Sequence, residues 1–399
     1  VQALTWFWIT RDYDTEAAEW AAEILPLAGD AAPPGLEDAY AICKIIATMG
    51  HSRDDMPGDV AQFKDALAEL TPPEGAKHPL LTLATPMLAV LKGDPDGARR
   101  GLQAVADHPD PWVRAAQRAL GGHLALNDGE IDRGASELAQ GYDMFRDLGD
   151  RWGQMICLGG LAEVAMARGH PAEAVRALEE SRSLANEGLA ANWSQTIRVP
   201  LGRARALAGD VVGARADLEQ GVVGAERLGE FDDAALGYVL LGEMARTEGD
   251  LAAAREQLGL ALEVINPRLQ RPDMFSVATI AFSRMGCIAE QEGDLDTAAD
   301  WHRRALGALT SSFLPISSGV PIAVAVEGVA ALAAARGEHV RAAELLGLAH
   351  TAAGFSDPFS LEVKRVKAAT GTVLAEAEFG AAYARGRSMT RSDALALVP

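Results

Sequence analysis

The sequence predicts an all-α fold of stacked helical hairpins, and three observations carry this prediction. In six of seven cases, a recurring glycine is followed five residues later by an alanine. The composition is 49% hydrophobic with only 6% aromatic residues, and its alanine and leucine favour helices over strands. The gaps between the glycines are 36, 40, 40, 40, 44 and 44 residues, a period typical of arrays whose units contact only their neighbours. The marker glycines are Gly93, Gly129, Gly169, Gly209, Gly249, Gly293 and Gly337.

The unit around Gly249 shows the physical basis of one hairpin. Apolar residues recur at helical spacing on both sides of this glycine, which itself suits the left-handed position that ends a helix. Asp250 follows, and a short carboxylate there caps the next helix by accepting hydrogen bonds from its free N–H groups. Pro267 ends that second helix. Gly242 and Ala254 are small residues where the two helices cross, which allows a close backbone approach.

This unit resembles the tetratricopeptide repeat. Neighbouring units keep the same frame, although they exceed the usual repeat length of about 34 residues. The resemblance implies a right-handed superhelical solenoid of about eight or nine tetratricopeptide-like hairpins, whose first helices line a concave groove. The matching positions are Leu241, Gly242, Ala245, Gly249, Asp250, Ala254, Leu258 and Ala261.

The repeat array is predicted to occupy residues 1–359. Its units are clear over residues 76–359 and weaker over residues 1–75, where Asp12 and Gly50 stand at the turn positions. Several prolines between units mark the breaks from one hairpin to the next.

The C-terminal piece, residues 360–399, departs from the period. We expect one or two capping helices there, because an open end of the array would expose a hydrophobic face. Thr390 and Asp393 have the spacing of a capping box. At the other end, the chain begins at Val1 without methionine and enters a helix at once, so we expect it to be a piece of a larger protein.

Charge and cysteine content exclude several classes of function. A formal net charge of -20 repels phosphate backbones, so direct contact with nucleic acid is not expected. Cys43, Cys157 and Cys287 are too far apart in sequence to suggest a disulfide framework or a metal site. No stretch reaches the roughly 20 apolar residues that span a bilayer, and we expect no signal peptide. A cytoplasmic protein without membrane contact fits these features.

No motif of known chemistry appears. The glycines stand between helices rather than after a strand, so they do not form a phosphate-binding loop. A nucleophile elbow and the HExxH motif are absent, and the eight histidines lack metal-ligand spacing. We therefore expect neither an enzyme nor a bound cofactor or metal.

The repeat frame places polar residues at one position of successive first helices. The position six residues before each of the first six marker glycines holds Met87, His123, Glu163, Arg203, Glu243 and Cys287. Because equivalent positions of stacked units lie beside one another, the polar members are expected to form a ladder in the groove. Arg246 and Glu290 lie on the same helices, and Glu327 lies ten residues before Gly337. The candidate contacts for a ligand or partner are therefore His123, Glu163, Arg203, Glu243, Arg246, Glu290 and Glu327.

Two interpretations of this ladder stay open. In one, the polar groove recognises a peptide, a small molecule or another domain. In the other, Glu163, Arg203 and Glu243 pair with one another and only hold the units in register. Partly exposed pairs of that kind contribute about 0–1 kcal/mol each.

The tryptophans indicate packing sites. Trp6, Trp8 and Trp20 lie in the first two predicted helices and are expected to build an N-terminal core or an interface with a preceding domain. The remaining tryptophans lie near helix starts, where a large ring fills the space between units. These are Trp112, Trp152, Trp193 and Trp301.

The residues also resemble one protein family. Residues 145–153 and 161–169, the opening residues 4–8, and the later stretches 341–347 and 386–394 are similar to the helical C-terminal region of large actinobacterial transcription regulators. These regulators are of the Streptomyces antibiotic regulatory protein type with a signalling ATPase module, and their relatives.

The resemblance implies a sensing or autoregulatory arm of a transcriptional activator. Such an arm binds a small-molecule effector, or its own ATPase and DNA-binding domains, which precede it in the family. A general protein-docking scaffold without an effector is the alternative. Whether the chain forms a homo-oligomer stays open.

Overall fold

The computed structural model describes residues 4–11, 13–49, 69–73, 75–92, 94–187, 191–271, 274–311 and 319–397. Asp12, Gly50 and Gly93 lie outside these residues. Within the described residues every long element is an α-helix, and one short 3-10 turn covers Asn266–Arg268. The α-helices are α1 Thr5–Arg11, α2 Asp14–Ala28, α3 Glu37–Met49, α4 Pro79–Leu91, α5 Pro95–Ala104, α6 Pro111–Asn127, α7 Ile131–Leu148, α8 Arg151–Ala167, α9 Pro171–Asn186, α10 Ala191–Thr196, α11 Arg198–Leu207, α12 Val211–Leu228, α13 Phe231–Glu248, α14 Leu251–Ile265, α15 Met274–Gln291, α16 Leu295–Ser311, α17 Gly319–Ala335, α18 His339–Ala353, α19 Leu361–Gly371, α20 Glu376–Arg387 and α21 Arg391–Leu395.

Successive helices pair as hairpins from α4 to α18. The pairs are α4–α5, α6–α7, α8–α9, α11–α12, α13–α14, α15–α16 and α17–α18, and the earlier helices α2 and α3 also pack together. First helices of neighbouring hairpins contact one another, for example α6 with α8 and α13 with α15. The predicted all-α array of tetratricopeptide-like hairpins is thereby confirmed.

The marker glycines end first helices in the predicted way. From Gly129 to Gly337, each described marker glycine has a φ between 79° and 88°. Asp250 caps the following helix, because its Oδ1 accepts a hydrogen bond from Ala253 N at 2.9 Å. The alanine five residues after each marker is fully buried in all six units that have one. A Cβ added to Gly242 would lie 3.2 Å from the carbonyl oxygen of Ala254, so this helix crossing is as close as expected.

The row of hairpins closes on itself. The turn at Gly129, between α6 and α7, touches Gly354, which ends α18: a Cβ added to Gly129 would lie 2.8 Å from the Gly354 Cα atom. Arg391 joins the same two ends, because it donates hydrogen bonds to the carbonyls of Asn127 at 2.7 Å and Ala352 at 2.8 Å. The two ends of the row from α6 to α18 therefore touch, and we call this arrangement the ring.

The C-terminal residues differ from the expected one or two capping helices. They form three helices, of which α20 packs on α18, and α19 packs against α17 and α18 rather than only covering an open end. The physical reason is that Val363 and Val366 of α19 are buried in the largest hydrophobic core. The capping box of Thr390 and Asp393 is confirmed at the start of α21.

The tryptophans of the first helices have different environments. Trp6 packs edge-on against Trp112 and Trp152, at ring distances of 4.8 and 5.7 Å, so α1 lies across the starts of α6 and α8. Trp8 is buried, whereas Trp20 is 53% exposed. No helix in the described part of the chain combines the length and the apolar character needed to span a bilayer. The division of the chain at residue 359 stays a prediction.

Ring closure can be tested with two glycine variants that share a left-handed backbone. Gly249 has a φ of 84° and no atom near its Cβ position, so Gly249→Ala should lower the free energy of unfolding by about 1–2 kcal/mol from backbone strain alone. Gly129→Ala should lose a further 1–3 kcal/mol or so, because its methyl group collides with Gly354. Urea unfolding measures both, and equal losses would show that the contact between the ring ends is not maintained in solution.

Candidate functional site

The candidate residues all lie on the first helices of hairpins. His123 is on α6, Glu163 on α8 and Arg203 on α11, while Glu243 and Arg246 are on α13. We call the side of these first helices that points into the ring the inner face. Glu290 on α15 and Glu327 on α17 continue it. The structure divides the candidates other than His123 into two groups, because α19 lies on the inner face of α13, α15 and α17 only.

The first group surrounds a fully buried carboxylate of α19, that of Glu362. Arg246 Nη2 lies 2.5 Å from Glu362 Oε1, and Arg284 Nη1 lies 2.7 Å from Glu362 Oε2. Glu243 joins both arginines from the same side, at 2.5 Å from Arg246 and 3.3 Å from Arg284. Two guanidinium groups are thus shared by two carboxylates from different segments of the chain.

Two further candidates contact the same helix. Glu290 accepts two hydrogen bonds from Arg365 Nη2, at 2.7 and 2.9 Å. Glu327 accepts a hydrogen bond from Ser360 Oγ at 2.7 Å. Ser360 Oγ also caps the start of α19, because it accepts a hydrogen bond from Val363 N. Arg246, Glu290 and Glu327 are therefore occupied by the chain's own C-terminal segment, and Glu243 is held by Arg246 and Arg284.

The buried acids of this group differ in protonation. Burial alone would raise the pKa of Glu362, but the guanidinium groups of Arg284 and Arg246 lower it to about 2. Glu327 has no such pair. Burial raises the pKa of Glu327 to about 8, although the Ser360 hydroxyl and Arg284 oppose this shift. At neutral pH Glu362 is ionised, whereas Glu327 is protonated in the folded chain.

Sequence reasoning missed three members of this network. Arg284 lies on α15 outside the position used to align the repeats, and Glu362 and Arg365 lie in the piece that departs from the period. A usable signal existed for Arg284, since it is the only basic residue of α15, an otherwise largely apolar helix.

The proposed ladder of Glu163, Arg203 and Glu243 does not form. Glu243 pairs with Arg246 and Arg284 instead, and neither Glu163 nor Arg203 makes an ion pair or hydrogen bond with another described side chain. Glu163, Arg203 and Glu243 lie on successive first helices. Glu243, however, pairs with Arg284 of α15 and not with Arg203. The interpretation of a self-satisfied ladder is wrong for these three residues.

His123 is engaged within the array. Its Nε2 lies 3.2 Å from the carbonyl oxygen of Ile156 on α8, and its ring packs where Gly160 has no side chain. The His123 imidazole is half-buried and joins the first helices α6 and α8. It does not project from the inner face.

The second group consists of Glu163 and Arg203, which line a cavity of about 150 Å³. One wall comes from the ends of α6, α8 and α11, and the other from Phe355, Asp357 and Phe359, which connect α18 to α19. Glu163 is exposed and Arg203 half-buried. Unpaired charges of both signs therefore meet apolar walls at the point where the ring closes.

Other groups of interest are buried in the core. His302 packs where Gly286 and Gly328 have no side chains, and burial lowers its pKa to about 4, so its ring is neutral. Cys287 is buried, and this burial raises the pKa of its thiol. Across the described ranges, no three His, Cys, Asp or Glu residues are grouped so that they could hold a metal ion.

Comparison with known proteins supports the fold. No family model and no curated protein matches the chain. A Rap protein solved in complex with competence and sporulation factor is similar over 93% of this chain and 97% of its own, with 14% identity and a TM-score of 0.59.

Two weaker likenesses concern sensors. A signal transduction ATPase with numerous domains and a tetratricopeptide repeat sensor, from Pyrococcus horikoshii, matches 84% of this chain and 52% of its own, with 12% identity and a TM-score of 0.46. The apo form of the quorum sensor NprR from B. thuringiensis matches 75% of this chain and 83% of its own, with 14% identity and a TM-score of 0.42. At such low identities, only the repeat fold is shown.

The buried ion network predicts a large effect of one isosteric change. Glu362→Gln leaves two buried guanidinium groups with too little negative charge, so the free energy of unfolding should fall by about 3–5 kcal/mol at neutral pH. Glu248→Gln is the control, because the pair of Glu248 with Arg215 is exposed and should contribute less than about 1 kcal/mol.

The same variant should change the acid dependence of stability. Because the pKa of Glu362 lies below its ordinary 4.5, the pair stabilises the fold above pH 4.5, and this stability is lost as the pH falls towards 2. Chemical unfolding across this range should show a smaller acid-induced loss for Glu362→Gln than for the unmodified chain. Equal slopes would contradict a buried, ionised Glu362.

Glu327 should act in the opposite direction. Its raised pKa means that folding favours the protonated acid, so stability should fall by up to about 1.4 kcal/mol per pH unit between pH 4.5 and about 8. Glu327→Gln keeps an acceptor for Ser360 and removes this titration, so its unfolding free energy should exceed that of the unmodified chain increasingly as the pH rises. The exposed Glu256→Gln should show no such trend, and an unchanged pH profile for Glu327→Gln would rule out a protonated Glu327.

Proposed function

We propose that the chain is the regulatory arm of a transcriptional activator and binds a small effector, or its own ATPase and DNA-binding domains, through the inner face. The observation that carries this proposal is the pair Glu163 and Arg203, unpaired charges on a cavity of the inner face. The rest of the described inner face from α13 to α17 is covered by α19. Recognition is therefore assigned to the N-terminal half of the ring.

The covering helix supports this division of the inner face. Glu362 is fully buried and ion-paired, and Val363 and Val366 belong to the core, so displacing α19 would expose apolar area and two buried cations. A ligand that competed with α19 would have to replace all of these contacts. The cavity at Glu163 and Arg203 requires no displacement.

Family resemblance supplies the regulatory part of the proposal. The stretches at 145–153, 161–169 and 386–394 resemble the C-terminal region of regulators that carry a signalling ATPase module and control transcription. The Rap structure, similar in fold over nearly the whole chain, holds competence and sporulation factor. A comparable role in this chain would use the same architecture to receive a signal.

A docking scaffold is the second candidate, and exposed apolar side chains near the N-terminus favour it. Trp20 is 53% exposed and Leu27 is 87% exposed, and the region also exposes other large apolar groups. A contiguous apolar patch on the surface of a protein marks a contact with another protein. Among the described residues of this region, the exposed large apolar residues are Leu4, Phe7, Tyr13, Trp20, Leu27 and Leu36.

The proposed regulatory function can be tested on the complete gene product. We expect its sequence to contain a nucleotide-binding and a DNA-binding domain, and its rate of ATP hydrolysis to change several-fold with Arg203→Ala because the regulatory arm loses its inner-face contact. Arg176→Ala, an exposed arginine on the second helix α9, should leave the rate unchanged. A gene product without those two domains would overturn the regulator and favour the scaffold.

A further inference from the structure

We propose that the cavity at Glu163 and Arg203 binds a small zwitterion, an α-amino acid with an apolar side chain or a close analogue of one. This inference rests on the effector branch of the proposed function and names its ligand class. It depends on three properties of the cavity, which are its charges, its walls and its size.

The charges of the cavity require a ligand with both signs. Among the described residues that line it, Arg203 is the only basic one, and its guanidinium can bind a carboxylate in a two-point contact. Glu163 belongs to the neighbouring first helix and can receive an ammonium group. Because the two side chains do not pair with each other, each is available to one end of the same molecule.

Asp357 strengthens the preference for an ammonium group. One of its oxygens, Oδ1, accepts a hydrogen bond from Phe359 N at 2.8 Å, which fixes the side chain at the cavity wall. Two carboxylates and one guanidinium therefore line the cavity. Such a field disfavours phosphate and other dianions, because both Glu163 and Asp357 would repel them.

The walls and the volume limit the remainder of the ligand. Leu126, Met166 and Leu207 line the side formed by first helices, and Phe355 and Phe359 line the opposite side. An apolar group between these walls would be removed from water, which favours binding. A volume of about 150 Å³ lies below the roughly 300–1,000 Å³ of pockets for drug-sized molecules, so a peptide cannot enter as a whole.

The location of the cavity connects binding to ring closure. Its two walls come from opposite ends of the ring, since α6 begins the closed row and Phe355 follows its last hairpin. A ligand that touches both walls favours the closed ring over any opened form, because it makes the full set of contacts only there. Binding should therefore be visible as an increased melting temperature.

The test uses L-leucine, L-valine and L-phenylalanine as probes, with calorimetry and thermal unfolding of the full chain. At least one probe should bind saturably and raise the melting temperature. Its N-acetyl derivative lacks the ammonium group and its amide lacks the carboxylate, so each should bind at least about tenfold more weakly. Failure of all three amino acids to bind, or equal binding of the single-charge derivatives, would overturn the proposal.

Variants of both charged groups complete the test. Arg203→Gln and Glu163→Gln should each weaken binding of the best probe about tenfold or more, while the exposed Arg176→Gln and Glu256→Gln should leave it unchanged. Glu163 is exposed, so its variant is expected to fold, and thermal unfolding without ligand checks this. Unchanged affinity in both cavity variants would overturn the site. A third outcome separates the two proposals. If Arg203→Ala alters ATP hydrolysis in the full gene product but no amino acid binds, the proposed ligand class is wrong and the proposed regulatory function stands.

Discussion

The carboxylate of Glu362 lies buried between Arg246 and Arg284, and much of the structure depends on how that charge is satisfied. Burying an ion is unfavourable unless its partners are well placed, and removing one partner leaves the others without compensation. The pairs join α19 to α13 and α15 in the middle of the array, so the network selects one position for α19. That position covers half of the inner face and leaves the other half to Glu163 and Arg203. The candidate site therefore lies on the part of the inner face that α19 and its ion pairs do not cover.

Local patterns predicted the hairpins well, because their causes are local. A glycine in the left-handed conformation, a capping aspartate and a small residue at each crossing act within one unit, and Gly249, Asp250 and Ala254 behave as expected. The same frame led to the correct helices for the candidate site. Which of those residues are free was not predictable, since Glu362 and Arg365 come from a segment without periodicity. Ion pairs between segments that are distant in sequence cannot be predicted from the repeat period.

The cavity and the ion network show two uses of charge on one surface. Around Glu362, opposite charges are matched and removed from water, which favours a single arrangement of the chain. At Glu163 and Arg203, charges of opposite sign stay apart and unpaired, which leaves their interaction energy for another molecule. Only side-chain positions distinguish these cases, since both sets occupy the same row of first helices. A polar ladder in a repeat sequence therefore has no single meaning.

The contact between Gly129 and Gly354 also limits how such a chain can evolve. Open repeat arrays gain or lose units readily, because each unit contacts only its neighbours. Here a hairpin added or deleted between α6 and α18 would move Gly354 away from Gly129 and separate Arg391 from Asn127, residues 264 positions apart in sequence. Duplication or deletion of a whole hairpin in this segment would therefore break the contact between the two ends. Its relatives should differ in loop length and surface composition, but keep the same number of hairpins.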